Sequence, residues 1–181
     1  MAAPGEGGDA ESRGVTHWRC APFGELTVAE LYAILQVRAE VFVVEQACAF
    51  QDLDGADAAS WHLCGTRSPV TPAKAGAQSP VQLVAYARLI PPGIKFAEVS
   101  IGRVVTSPLV RGTGCGRELM ERALAEARRL WPGKPIRIGA QRRLERFYAS
   151  LGFVEASAPY DEDGIEHVEM LLAGTTRERT T

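Results

Sequence analysis

The stretch "VRGTGCGRELMERAL", Val110 to Leu124, places glycines at positions 112, 114 and 116 and then runs into a helical pattern without a gap. Alternate glycines strip side chains from the backbone, and a helix start carries free amides and the positive end of its dipole. Together they suit a phosphate. Two nucleotide-binding templates fail here. The dinucleotide fingerprint G-x-G-x-x-G counted from Gly112 ends on Arg117, and counted from Gly114 it ends on Leu119. A P-loop needs Gly-Lys-Ser/Thr where this chain has Gly116-Arg117-Glu118. What is left is Arg111-x-x-Gly114-x-Gly116, shortly after a strand and directly before a helix, with Arg111 and Arg117 adding positive charge. That pattern fits a pyrophosphate, and it also fits a tight strand-to-helix turn packed against a neighbour. The loop alone does not choose.

Upstream of it, "VQLVAYARLI" (Val81 to Ile90) and "FAEVSIGRVV" (Phe96 to Val105) are apolar on both faces. This predicts two central strands joined by a Pro-Pro-Gly turn. Downstream, the helix from about Gly114 to Trp131 ends at Pro132-Gly133, "PIRIGA" reads as a short strand, and "RRLERFYASLG" as a short helix stopped by Gly152. Two further strands flank the acidic turn "DEDG", Asp161 to Gly164. Towards the N-terminus, Leu26 to Glu45 carries Leu31, Ile34, Leu35, Val37, Val41 and Phe42 at mostly helical spacing, introduced by a Thr27/Glu30 capping box. Arg38 falls on that apolar face and needs an acidic partner, for which Glu45 is one candidate. "WHLCG" (Trp61 to Gly65) is a short strand, and an extra strand is expected near Trp18. Residues 66–80 hold three prolines and no periodicity, which reads as an exposed loop inserted between two strands. Within it, "TPAKAGAQ" resembles peptides translated from dispersed repeats in bacterial genomes. The order of elements defines an α/β domain, one mixed sheet with helices packed on its faces.

The totals set bounds on function. A chain of 181 residues makes one domain, expected over 15–173, between a disordered tail at 1–14 and a flexible tail at 174–181. A net charge of -2 without a basic run gives no footprint for nucleic acid or a membrane surface. The apolar stretches fall short of the ~20 residues that span a bilayer, and "MAAPGEGGDAESRG" lacks the apolar core of a signal peptide. Cys20, Cys48, Cys64 and Cys115 are scattered without a CxxC pair, so free thiols in a reducing compartment are expected, and no metal site. These readings place the protein in the cytoplasm.

Here the surroundings of the glycine loop matter. Arg111, Gly114 and Gly116 match R/Q-x-x-G-x-G/A, the acyl-CoA signature of the GNAT superfamily of N-acetyltransferases, after a strand ending "GRVVTSP". "RFYASLGF" (Arg146 to Phe153) is similar to that family's second cofactor motif. "LQVRAEVFVVEQ" (Leu35 to Gln46), "QDLDGAD" (Gln51 to Asp57), "GAQ" (Gly139 to Gln141) and "YDEDGIEHVEM" (Tyr160 to Met170) resemble its ElaA-like subgroup. The matches run in order from about Leu31 to Met170, the insertion apart.

The resemblance implies a GNAT fold, a mostly antiparallel mixed sheet splayed between its fourth and fifth strands to admit an acyl-CoA. It implies acetyl-CoA as co-substrate, with Arg111, Gly112, Thr113, Gly114, Cys115 and Gly116 at the pyrophosphate. Val104, Val105 and Thr106 would offer backbone groups to the pantetheine arm, and Gln141 would lie near it. An amine acceptor attacks the thioester directly, and this needs a base, a donor for the oxyanion near Val105 and an acid for the leaving thiolate. Tyr148 matches the family's acid. For the base, Glu45 leads, with Glu98, His62 and His167 behind it. Arg142 and Arg143 either touch the 3′-phosphate or form a solvated helix start. The acidic "QDLDGADAA" and "YDEDG" segments favour a cationic amine, or are solvated surface. A homodimer stays open. A second class of function, a non-catalytic acyl-CoA-binding regulatory module, would need the loop without Tyr148. A third is transfer from longer acyl donors, as in the related acyl-homoserine-lactone synthases.

Overall fold

Two strands at the middle of the sheet, β4 (Val99–Thr106) and β5 (Ile136–Gln141), run parallel but pair only at Val99 with Ile136 and Ser100 with Arg137. Beyond that point they diverge, and this divergence makes the site. The computed structural model describes residues 15–47, 50–68 and 82–175. On one side of the split lies an antiparallel run of β1 (His17–Pro22), β2 (Trp61–Arg67), β3 (Gln82–Ile90) and β4. On the other, β5 pairs antiparallel with β8 (Ile165–Leu172), which also carries β6 (Val154–Glu155) and β7 (Tyr160–Glu162). The sheet order is β1-β2-β3-β4-β5-β8-β6, with β7 alongside β8.

Helices cover both faces. α1 (Val28–Arg38) starts on the expected capping box, in which the Thr27 hydroxyl accepts from the Glu30 amide and the Glu30 carboxylate accepts from the Thr27 amide at 2.8 Å. It buries Ile34 and Val37 against Cys64, Tyr86 and Val105. α2 (Cys115–Leu130) buries Leu119, Met120, Ala123, Leu124 and Ala127 on the opposite face, spaced three and four apart as an amphipathic helix requires. There it meets the larger core of Val84, Ala87, Ile101, Ile138 and Met170, together with α3 (Glu145–Ala149).

The first helix departs from its expected course. Regular α-helix stops at Arg38, and Ala39–Glu45 continues as a π-helix, closed by the Gln46 amide donating to the Val41 carbonyl at 3.0 Å. A π turn is wider than an α turn, so residues seven apart no longer stack. Glu45 is thereby carried away from Arg38. β2 runs two residues past Gly65, and Arg67 pairs with Gln82, so the inserted loop leaves from the tip of a hairpin. The Pro-Pro-Gly turn extends to Glu98, with the Gly93 amide donating to Phe96, so β4 begins later than Phe96. β7 and β8 flank the acidic turn as expected, and a further short strand, β6, precedes them. The expected tail at 1–14, all but the first two residues of the one at 174–181, Cys48 and most of the 66–80 insertion lie outside the described residues. Among the described residues no helix is long and apolar enough to cross a membrane.

Candidate active site

The divergence of β4 and β5 opens a cleft of about 410 Å3. Its walls bring together Glu45, Val104, Val105, Thr106, Arg111, Gln141 and Tyr148, residues drawn from five separate segments of the chain. On the β4 wall, the Ser107 amide donates to Val84 at 2.8 Å. Peptide groups alternate along a strand, so those of Thr106 turn away from β3 into the split, where the Thr106 carbonyl accepts from Arg111 at 3.3 Å.

The strand is bent at that wall. Tyr86 faces Val105, yet Arg88 faces Gly102, so β4 carries one extra residue there, and Arg103 has φ of 51°. This left-handed conformation costs a non-glycine residue roughly 1–2 kcal/mol, and its side chain is held in return. Arg103 Nε donates to Asp52 Oδ1 at 2.7 Å, and its guanidinium covers the Phe50 ring at 4.8 Å. Asp52 also accepts from Arg38 Nε at 2.9 Å. Asp57 Oδ1 accepts from both Arg38, at 2.8 Å, and Arg88, at 2.9 Å, while Asp54 takes the other arm of Arg88 at 2.6 Å. Arg38 and Arg88 are fully buried, and Arg88 Nε has no partner among the described residues. Burial alone would raise the Asp54 and Asp57 carboxyls, but the guanidinium hydrogen bonds win and hold both below the usual carboxylate range. The acidic "QDLDGAD" run is therefore not a free anionic surface. It is the counter-charge for three arginines, and the partner expected for Arg38 is Asp52 with Asp57, not Glu45.

The glycine loop meets α2 as the sequence requires. Gly112 and Gly114 take φ of 75° and 88°, and a Cβ at either would meet no protein atom within 4 Å. Their shape thus answers a backbone demand and leaves open space beside it. The amides of Gly112, Gly114, Cys115 and Gly116 find no acceptor among the described residues. An open cradle of unpaired amides at a helix N-terminus fits a pyrophosphate. Thr113 turns its hydroxyl back to Val110 at 2.7 Å, and Cys115 is buried in the core, its thiol pushed up by burial. Arg111 lies between loop and cleft, forked onto Glu45 at 2.7 and 2.8 Å.

Opposite β4, Gln141 ends β5 with both amide atoms used: its Nε2 donates to Gln46 at 3.1 Å and its Oε1 accepts from Arg143 at 3.0 Å. Arg142 pairs with Glu145 and Glu155 instead, away from the cleft wall that Arg143 joins. Tyr148, on α3, packs edge-on between Phe147 and Phe153 and is only 7% exposed. Burial pushes its hydroxyl up to about 12, against a smaller opposing pull from Arg143. It stays protonated at neutral pH and has no hydrogen-bond partner among the described residues.

The four groups considered for a base differ sharply. His62 spends both ring nitrogens, on the Tyr86 hydroxyl at 2.8 Å and the Asp57 carbonyl at 3.1 Å, and lies buried outside the cleft. Glu98 is forked onto Arg137 at 2.7 and 3.1 Å. Glu45 is in the cleft, but the Arg111 hydrogen bonds hold its carboxyl below its ordinary value. His167, on β8, also lines the cleft. The sequence missed the part played by Gln46 and Arg103, whose roles depend on a π turn and a bulge that no residue pattern announces. Among the described residues, no group of three or more His, Cys, Asp or Glu is placed to hold a metal ion.

A sequence profile described as an acetyltransferase (GNAT) domain matches residues 76–173. The chain belongs to this family, and with its split sheet it is an acyltransferase of the GNAT fold. Within the family it stands with the ElaA-like proteins: it is 40% identical over 155 residues to Protein ElaA of Escherichia coli, covering 84% of this chain and 94% of that one. The crystal structure of Escherichia coli ElaA superposes with a TM-score of 0.75 over 87% of this chain and 99% of that one, at 39% identity. An acyl-CoA N-acyltransferase from Pseudomonas aeruginosa superposes with a TM-score of 0.76, at 43% identity, over 88% of this chain and all of that one.

Proposed function

We propose that the protein moves an acetyl group from acetyl-CoA to the primary amine of a small molecule or peptide, by direct attack within the β4–β5 cleft. Bound there, acetyl-CoA supplies the activated thioester. The observation that carries this reading is the single cleft whose walls include both Arg111, at the phosphate end, and Tyr148, at the chemical end.

The residues divide the work by position. The free amides of Gly112, Gly114, Cys115 and Gly116, with Arg111 beside them, hold the pyrophosphate, and Thr113 and Cys115 shape the loop. Val104, Val105 and Thr106 present backbone to the pantetheine arm, with Gln141 on the facing strand. An amide on this β4 stretch donates to the carbonyl oxygen as negative charge develops on it, an interaction that grows in the transition state. Tyr148 keeps its proton because it is buried, and so offers a donor to the departing thiolate. Glu45 lines the same cleft, but its carboxylate is forked onto Arg111, so it competes only weakly as proton acceptor. Cys20, Cys64 and Cys115 are unpaired, which suits a reducing cytoplasm.

The test is thiol release from acetyl-CoA across a panel of polyamines, amino acids and lysine peptides, with Tyr148→Phe alongside. At least one amine should release thiol in the wild type, with kcat falling roughly 100-fold in the variant while acetyl-CoA still binds. If acetyl-CoA binds but no amine releases thiol, the protein is a cofactor-binding module and this reading is lost.

A further inference from the structure

We propose that His167 takes the proton from the acceptor amine, through its Nε2 atom. The proposal rests on the acyl-transfer reading above and adds to it the group that makes the amine a nucleophile.

Geometry places the ring first. Along β8, Val168 and Met170 point into the core shared with α2, so His167 points to the other face of the sheet, opposite Gln141 in register. β7 braces it there: the Tyr160 ring stacks on the imidazole at 6.0 Å with 27° between planes. The ring therefore forms part of the same cleft wall as Gln141 and faces the space that Tyr148 borders from α3.

The tautomer follows from one hydrogen bond. Nδ1 lies 2.8 Å from the Ile165 carbonyl, which can only accept, so Nδ1 carries the proton and Nε2 carries the lone pair. Nε2 has no hydrogen-bond partner among the described residues, and it is not sealed from solvent. A held ring with one nitrogen committed and the other free is the form a proton acceptor needs. The charged and titratable groups near it are Tyr160 and Glu162 from β7, Asp163 from the turn after β7, and Arg143 from the turn after β5. Glu162 Oε2 stands 3.8 Å from Nδ1.

The alternatives are engaged. Glu45 and Glu98 are each forked onto an arginine, and a carboxylate so held accepts a proton reluctantly. His62 has no free nitrogen.

The step balances as follows. The ammonium gives one proton to Nε2, and the neutral nitrogen attacks the thioester carbonyl carbon. The C–N bond forms, the C–S bond breaks, and the nitrogen sheds a second proton. That proton replaces the one Tyr148 gives to sulfur, while the first passes from His167 to solvent. The products are an amide, free CoA thiol and one released proton, with no oxidant or reductant involved.

The experiment measures kcat/KM for a releasing amine against pH in the wild type, His167→Asn, His167→Ala and Glu45→Gln. Asparagine can set an amide N–H where Nδ1–H stood, keeping the bond to Ile165 while removing Nε2. His167→Asn should bind acetyl-CoA as the wild type does, lose about 100-fold or more in kcat/KM at neutral pH, and lose the acid limb of the profile. Imidazole added to His167→Ala should restore part of the rate. The assignment is overturned if His167→Asn keeps both rate and acid limb, or if Glu45→Gln abolishes the limb instead. A wild type that releases no thiol with any amine overturns the acyl-transfer reading and this proposal together. Release by the wild type with His167→Asn unaffected overturns only this one.

Discussion

Asp57 shows how much a single carboxylate can hold. One of its oxygens serves two arginines, Arg38 and Arg88, which are 0% and 1% exposed. Asp57→Ala would leave both guanidiniums short of a partner in the interior, at a cost of roughly 3–5 kcal/mol. Urea denaturation should show that loss, and a stability within the error of the wild type would mean that Asp52 and Asp54 suffice. The sequence announced half of this. Arg38 on an apolar helix face demanded an acid, because a buried unpaired charge is prohibitive. Its partner could not be read from spacing, since Glu45 satisfies α-helical geometry and only the π turn moves it off that face. Tyr148, expected from its motif, lines the cleft and packs on Phe147 and Phe153, its neighbours along the chain.

At the scale of the element, the glycine loop and α2 were written plainly in the chain. The αL residue before a helix, the apolar stripe behind it and the Pro-Gly stop are local signals, and they needed no tertiary information. Gly114 permits a direct check, since its φ of 88° is strained for any other residue although space lies open beside it. Gly114→Val should cost about 1–3 kcal/mol of stability. It should also weaken acetyl-CoA binding by at least about tenfold, or ~1.4 kcal/mol, as read by calorimetric titration. Loss of stability without loss of affinity would show that the loop is only a turn. The first helix was less legible. Its apolar positions predict one continuous α-helix, yet its last seven residues unwind to π form and send Glu45 to Arg111 and Gln46 to Gln141. Those two contacts bridge separate walls of the cleft, so the demand that shapes the segment is tertiary.

For the molecule as a whole, the arginine–aspartate cluster makes a claim about acid. Burial raises the Asp54 and Asp57 carboxyls, hydrogen bonds from Arg88 and Arg38 lower them by more, and the folded values end below the unfolded one near ~3.9. Groups shifted this way stabilise the fold above the unfolded value and lose that contribution as pH falls through it. Buried His62 is lowered by desolvation, so it acts in the same sense as pH drops below about 6.5. Melting temperature should therefore decline gently below pH ~6 and steeply below pH ~4, with the steep part reduced in Asp57→Asn. A flat melting curve down to pH ~3 would contradict the cluster's role. The sheet order is the feature least visible in the chain: β8 inserts between β5 and β6 because tertiary pairing, not adjacency, sets its place. The parting of β4 from β5 has one more consequence. Unpaired strand edges normally sit on a protein's rim, where any passing strand can add to them and seed aggregates. Here two such edges are turned inward and faced by helices, so only a guest thin enough to enter from the end can pair with them. The fold keeps an adhesive surface in the middle of the molecule and hides it from its own kind.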